Sequence, residues 1–196
     1  MWNERYSDAF SAYGTDPNDF LREVAPKLPS GRVLCLAEGE GRNAVFLAKR
    51  GDDVTAVDLS EVGLSNAQAL AADAGVSIET QVADLAEFDP GEQAWDVIVS
   101  IWAHVPAPIR RRLHGACVRA LKPGGAFVLE GYTPKQLAAP GRGGPPTADL
   151  LMTSQDLLRE LEGLIFDRCE EVEREVDEGR FHRGISRTVQ VLARRP

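Results

Sequence analysis

The chain has few cysteines and no pairing pattern among them. Cys35, Cys117 and Cys169 are widely spaced, and none belongs to a CxxC pair. Neither a zinc site nor a disulfide framework is expected, and no other metal site is indicated. Cys35 and Cys117 sit in apolar patterns and read as small core residues. No apolar run approaches the roughly 20 residues that a membrane-spanning helix needs. The first residues, MWNERYSDAF, lack a basic stretch followed by an apolar one. No signal peptide is therefore expected, and the expected location is cytoplasmic. Basic charge is scarce as well. There are 22 Lys+Arg against 30 Asp+Glu, a formal net charge of −8. An acidic chain gains no general counterion-release affinity for nucleic acid, so no nucleic-acid partner is expected. The only tight basic run, Arg110 to Arg112, reads as the solvated face of a helix.

What is present is an ordinary globular balance. The chain has 196 residues, 43% apolar and 27% charged. That length points to one domain over 1–196 with a substantial core. Short β-like runs alternate with helical stretches. Strands are expected at 32–36, 53–57, 77–82, 96–101 and 126–131. Helices are expected at 17–28, 42–51, 60–74, 107–121 and 154–163. Strands alternating with helices predict a parallel sheet covered on both faces. The chain then ends on two strands, 165–176 and 185–194, joined by a turn near Gly179. Having no helix between them, they form an antiparallel pair. The fold class is α/β, a doubly wound, mostly parallel seven-stranded sheet with an antiparallel last strand. Residues 134–149, rich in proline and glycine, read as a long loop on the acceptor side of the site.

The informative segment runs from Val33 to Ala44 (VLCLAEGEGRNA), a buried strand entering a tight turn and then a helix. Gly39 and Gly41 let the backbone turn sharply and approach a ligand. Residues 39–44 also fit the dinucleotide pattern GxGxxG/A, so a nicotinamide-dependent oxidoreductase is a competing reading. Charge separates the two. A pyrophosphate would meet the acids Glu38 and Glu40. At an effective dielectric near 20, like charges 4 Å apart repel by about 4 kcal/mol. A ligand carrying a sulfonium and an ammonium group suits an acidic turn better. Asp58 and Asp84 end the second and third strands on the same rim. Asp58 is placed to accept ribose hydroxyls and Asp84 an adenine amino group. Either could instead cap the following helix.

These pieces resemble a class I S-adenosylmethionine-dependent methyltransferase over roughly residues 13–133. The resemblance rests on the glycine loop at 36–44, Asp58-Leu59-Ser60, Ala83-Asp84-Leu85, Trp95-Asp96-Val97-Ile98 and Leu121-Lys122-Pro123-Gly124-Gly125. Tyr13-Gly14 and Pro17-Asn18 make the small tellurite-resistance and thiopurine-type members the most similar. Two departures stand out. Cys35 replaces the family's usual acid, and Ala37 replaces a glycine. The resemblance implies S-adenosylmethionine as cofactor and aminoacyl contacts at Ala37, Glu38 and Gly39. It implies ribose contact at Asp58 and adenine contact at Leu59, Asp84 and Leu85. Gly41, Asn43 and Ser100 complete the expected cofactor set, and residues 1–30 form a helical cap over the site.

The expected reaction is methyl transfer to a small-molecule acceptor, with a thiol or an oxyanion among the possibilities. A soft nucleophile needs no protein base, whereas a hydroxyl or protonated amine does. His104, after the fourth strand, is the candidate base. Tyr13, Trp102, His104, Tyr132 and Arg142 are candidate acceptor contacts, with Tyr6 and Glu130 nearby. His114 and His182 belong to no constellation and read as surface residues. A non-enzymatic S-adenosylmethionine-binding protein is the remaining alternative. The residues carry no sign of an oligomeric state.

Overall fold

The computed structural model describes Asn3, Tyr6 and residues 13–139, 143–179 and 182–196. Seven strands lie in one sheet: β1 (Arg32–Leu36), β2 (Asp53–Asp58), β3 (Glu79–Val82), β4 (Trp95–Ile101), β5 (Leu121–Tyr132), β6 (Ile165–Glu178) and β7 (His182–Arg194). Their order across the sheet is β3-β2-β1-β4-β5-β7-β6. β1 to β5 pair in parallel, and β7 runs antiparallel to both β5 and β6. The alternation of strands and helices read in the sequence thus gives the expected doubly wound sheet. β1 and β4 are almost wholly buried. They need both faces apolar because helices cover both.

The helices are α1 (Asp19–Val24), α2 (Arg42–Lys49), α3 (Glu61–Asp73), α4 (Ala107–Ala120) and α5 (Ser154–Glu160). Side-chain alternation along the strands splits the core into two layers. Leu34, Leu36, Ile98, Phe127 and Leu129 pack with Leu113 and Cys117 of α4 and Leu157 of α5. Val33, Cys35, Val97, Val99 and Val128 face Phe20 and Leu21 of α1, Leu47 of α2 and Leu64 of α3. Cys35 and Cys117 are fully buried core residues, as their apolar settings predict.

Several boundaries differ from the sequence reading. The helix expected at 17–28 is regular only to Val24, and Pro26 then sits in a 3-10 turn, Ala25–Lys27. Proline removes a backbone donor, so the α-ladder stops there. Residues 122–125 lie inside β5 as an irregularity, because the β4–β5 register jumps from Trp95↔Leu121 to Val97↔Ala126. The loop at 134–149 contains two 3-10 turns, Pro134–Ala138 and Ala148–Leu150.

The basic run is not uniformly solvated. Arg110 is buried and forks onto Glu160 of α5, at 3.0 Å from Nε and 2.9 Å from Nη2. Arg112 donates to the carbonyls of Leu85 and Phe88. His114 is also buried, with Nδ1 2.8 Å from Glu160. The four-residue spacing puts Arg110 and His114 on one face of α4. That face meets α5, a partner that local sequence does not reveal.

Candidate functional site

After β1 the chain steps to β2 and β3 on one side, and later to β4 on the other. This reversal opens a crevice at the carboxyl ends of the strands, where open α/β sheets bind ligands. A cleft of about 830 Å³ lies there. Its walls come from the ends of β1, β2 and β4, the segment after β3, the N-terminal segment, residues 143–146 and His182 at the start of β7. Two non-glycine residues on the wall, Ala37 (φ 50°) and Trp102 (φ 57°), hold left-handed backbone at the ends of β1 and β4. Such conformations persist where surrounding structure enforces them, and they concentrate at functional sites.

The glycine turn follows β1. Glu38 is buried and directs its carboxylate into the N-terminus of α2. Oε1 accepts the backbone N–H groups of Asn43 (2.9 Å) and Ala44 (2.8 Å). These amides are the orphan donors that a helix N-terminus offers to an anion. Here the protein's own carboxylate takes them. Burial pushes the Glu38 carboxyl up to about 7, although the Ala44 and Asn43 bonds and the Arg42 charge oppose the shift. Gly41 (φ 86°) precedes α2, and a Cβ there would lie 2.5 Å from the Ala67 side chain on α3. Its lack of a side chain serves α2–α3 packing and not ligand approach. Glu40 is half-buried on the cleft wall, 3.4 Å from Asn66 Nδ2.

Asp58 ends β2 and is buried at the wall. Oδ2 accepts Gly39 N–H at 2.9 Å, and Oδ1 accepts Ser60 N–H at 2.8 Å. Burial raises its carboxyl, while the bonds from Ser60, Gly39 and Leu59 oppose that. Ser60 caps α3 by accepting Gly63 N–H, as expected of it. Asp84 is exposed and accepts Ala86 N–H at 2.8 Å. Leu59, exposed to 56%, and Leu85 add apolar surface at this end of the cleft. An uncapped leucine at a cleft mouth is a surface that water covers poorly and a flat apolar ring covers well.

The other end is aromatic. Tyr13, Trp102, His104 and His182 line it together with Val105, Leu150, Pro145 and Pro146. Trp102 stacks on Tyr132 with centroids 4.4 Å apart and meets His182 edge-on at 4.9 Å. Tyr13 lies 4.8 Å from the same His182 ring. His104 is fixed at both nitrogens. Nδ1 lies 3.0 Å from Leu150 O, and Nε2 accepts Tyr132 N–H at 3.3 Å. The proton is therefore on Nδ1 and the lone pair is engaged. Burial lowers the ring to about 4, against the Leu150 bond. Both ring nitrogens are thus engaged within the wall, and the base role expected of His104 would require the Nε2 contact to break.

Behind the aromatic wall lies a buried ionic network. Glu178 Oε2 accepts the Trp102 indole N–H at 2.8 Å and pairs with Arg42. Glu178 Oε1 accepts from Asn18 (2.9 Å) and Arg174 (2.7 Å). Glu130, fully buried, takes Arg174, Asn18, Thr188 and Gln190. Burial would raise Glu178, but Arg42, Arg174 and Trp102 hold its carboxyl down to about 2.

Of the residues singled out from sequence, Ala37, Glu38, Asn43, Asp58, Leu59, Asp84, Leu85, Tyr6, Tyr13, Trp102 and His104 share this one cleft. Gly39, Gly41, Ser100, Glu130 and Tyr132 do not line it; Ser100, Glu130 and Tyr132 are buried behind it. Arg142 lies outside the described residues. The sequence suggests a surface position for His182, yet it is buried on the cleft wall. It arrives there by β7 pairing with β6, a contact with no local signature. Glu178, which holds Trp102 and Arg42, was missed for the same reason. Among the described residues, no group of three or more metal-ligating side chains occurs, and no helix is long and apolar enough to cross a membrane.

Residues 33–125 match a family model described as a methyltransferase domain. The ubiquinone biosynthesis O-methyltransferase of Hahella chejuensis is 35% identical over 111 residues, covering 54% of this chain and 44% of that one. The chain thus spans under half the length of the curated relatives it matches. TehB from Haemophilus influenzae superposes with a TM-score of 0.76 at 17% identity, covering 100% of this chain and 66% of that one. A structure described under the conversion of a disulfide bond into a thioacetal group during echinomycin biosynthesis gives 0.76 at 22% identity, covering 98% and 87%. Residues 33–125 thus match a methyltransferase domain, and the fold of the whole chain is the one these solved structures share.

Proposed function

We propose that the chain transfers a methyl group from S-adenosylmethionine to a small apolar or aromatic acceptor. The observation that carries the cofactor half is the Glu38 carboxylate on the Asn43 and Ala44 amides. A dinucleotide would need those amides for its pyrophosphate. A phosphate there would also meet Glu38 and Asp58. A cationic ligand without phosphate fits the same acids favourably. When bound, S-adenosylmethionine supplies an electrophilic methyl on a sulfonium whose leaving group is a neutral thioether.

Within this reading Asp58 receives the ribose hydroxyls. A carboxylate has about four acceptor sites, and the N–H groups of Gly39, Ser60 and Leu59 engage three of them. Leu59 and Leu85 flank the adenine, and Asp84 borders it. Ala37 and Glu38 border the aminoacyl part. Trp102, Tyr13 and His182 exclude water from the acceptor and restrict its approach, which is how a displacement of this kind is accelerated. Arg42 is the single cation among the described lining residues, and its guanidinium is committed to Glu178. That favours an uncharged or soft acceptor over an oxyanion. With His104 engaged at both nitrogens, an acceptor that is already nucleophilic near neutral pH, such as a thiolate, is favoured over an aliphatic alcohol.

The test is turnover of S-adenosylmethionine against thiols, phenols, amines and inorganic oxyanions, followed by formation of S-adenosylhomocysteine. Turnover with an aromatic thiol or acidic phenol is expected. Cofactor binding without turnover on any acceptor would favour a non-enzymatic binding protein.

A further inference from the structure

The turn that follows β3 sits at the edge of the sheet, because β3 pairs with β2 alone. It carries two residues of the cleft wall, Asp84 and Leu85. Its inner bonds close on Asp84. The Asp84 carbonyl accepts Glu87 N–H at 2.9 Å and Phe88 N–H at 2.8 Å, and Oδ1 accepts Ala86 N–H at 2.8 Å. The carbonyls of Leu85 and Phe88 are taken by one side chain from another element. Arg112, on α4, donates from Nη2 to Leu85 O at 2.6 Å and from Nη1 to Phe88 O at 3.1 Å. The Leu85 and Phe88 side chains belong to the core layer of Leu113 and Cys117. Packing attaches the turn to α4, and the planar guanidinium, which holds two acceptors in one orientation, fixes its pitch.

The basic run at 110–112 thus divides its work. Arg110 and Arg112 are two positions apart, about 200° around the helix, so they face different elements. Arg110 turns to Glu160 of α5 and to Leu151 O at 3.2 Å. Arg112 turns to the cleft wall after β3. Arg111, between them, is exposed.

We propose that Arg112 is a positioning residue for the base end of the cleft, fixing the 84–88 turn so that Asp84 meets one edge of a purine. This rests on the S-adenosylmethionine reading above and adds what gives that end its selectivity. Ala86 N–H holds one Asp84 oxygen and so sets the carboxylate relative to the turn. Arg112 sets the turn relative to the cleft. It does not line the cleft itself and acts through the turn. An adenine amino group donates to the carboxylate. A hypoxanthine carbonyl in the same place sets acceptor against acceptor.

The experiment measures Kd by isothermal titration for S-adenosylhomocysteine and S-inosylhomocysteine on the full chain, with urea unfolding of each variant. The wild type is expected to prefer the adenine compound by about tenfold or more. Arg112→Met is expected to cut that preference to about threefold or less. Arg110→Met breaks a buried ion pair and should shift the urea midpoint further than Arg112→Met does, yet keep the wild-type preference. Arg111→Met should keep both. That crossed pattern separates positioning from general loosening. Were Arg112→Met to lose its fold by circular dichroism, Arg112→Lys, which gives up the planar fork, should still lower the preference by more than about twofold. An unchanged preference in whichever Arg112 variant folds, or an equal loss of preference in Arg110→Met, overturns the proposal and leaves the cofactor reading intact. A wild type that binds both compounds equally does the same. A wild type that binds neither overturns both.

Discussion

Glu178 and Trp102 meet behind the cleft, the carboxylate accepting the indole N–H at 2.8 Å. One residue ends β6 and the other follows β4, so the aromatic wall is held in place by the far edge of the sheet. The same carboxylate pairs with Arg42 at the start of α2. The Trp102 wall and the start of α2 thus share one buried anchor.

Removing that anchor leaves Arg42 and the indole N–H unpaired. Glu178→Ala is expected to destabilise the chain by about 3–5 kcal/mol in urea unfolding, and Glu178→Gln by less. The pH dependence follows from the depressed carboxyl. The native group titrates at about 2, below its ordinary value of 4.5. Its stabilisation is present above pH 4.5 and is lost as the pH falls toward 2. An acid-unfolding profile unchanged in Glu178→Gln would contradict this.

His104 carries the opposite case for a base. Its native value of about 4 lies below the ordinary 6.5, so the unfolded chain binds the proton more readily. Stability from the neutral ring is complete above pH 6.5 and falls as the pH drops from 6.5 toward 4. A rate profile for methyl transfer should show no inflexion between about 4 and 6.5 that His104→Ala removes. Loss of such an inflexion in the variant would restore the base role.

Glu38 gives a third sign. Its carboxyl is raised from 4.5 to about 7. The native state holds the proton more tightly, so stability of the ligand-free chain falls as the pH rises from 4.5 to 7. Glu38→Gln, which keeps a carbonyl oxygen for the α2 amides, should flatten that slope in thermal unfolding scans. An unchanged slope would place the titrating group elsewhere.

Asp58 ties the turn to the ribose end of the proposed site. Asp58→Ala is expected to weaken S-adenosylhomocysteine binding at least about tenfold, the loss of one charge-assisted hydrogen bond. Asp58→Asn keeps an acceptor for Gly39 N–H but sets its NH2 against the Ser60 N–H, so it should lose about 1–3 kcal/mol of stability and bind less tightly. Wild-type affinity in both variants would remove Asp58 from the site.

The sheet was legible because its signals are local. Apolar runs such as 96–101 and the Ser60 cap report their own conformation. The cleft was half legible. Strand-end residues Asp58, Asp84 and Trp102 are placed by topology alone, so a correct fold brings them together. Glu178, His182 and the buried Arg110 were not, because each acquires its role by pairing with a segment distant in sequence. The acids of the turn are legible in the sequence, but the contact Glu38 makes is not. Glu38 does not merely repel a phosphate; it already occupies the amides a phosphate would use.

The most direct measurement is isothermal titration of the folded full chain with S-adenosylmethionine and, separately, with a nicotinamide dinucleotide. The account predicts saturable binding of S-adenosylmethionine and no detectable binding of the dinucleotide. Saturable binding of the dinucleotide, with no heat from S-adenosylmethionine, would contradict it.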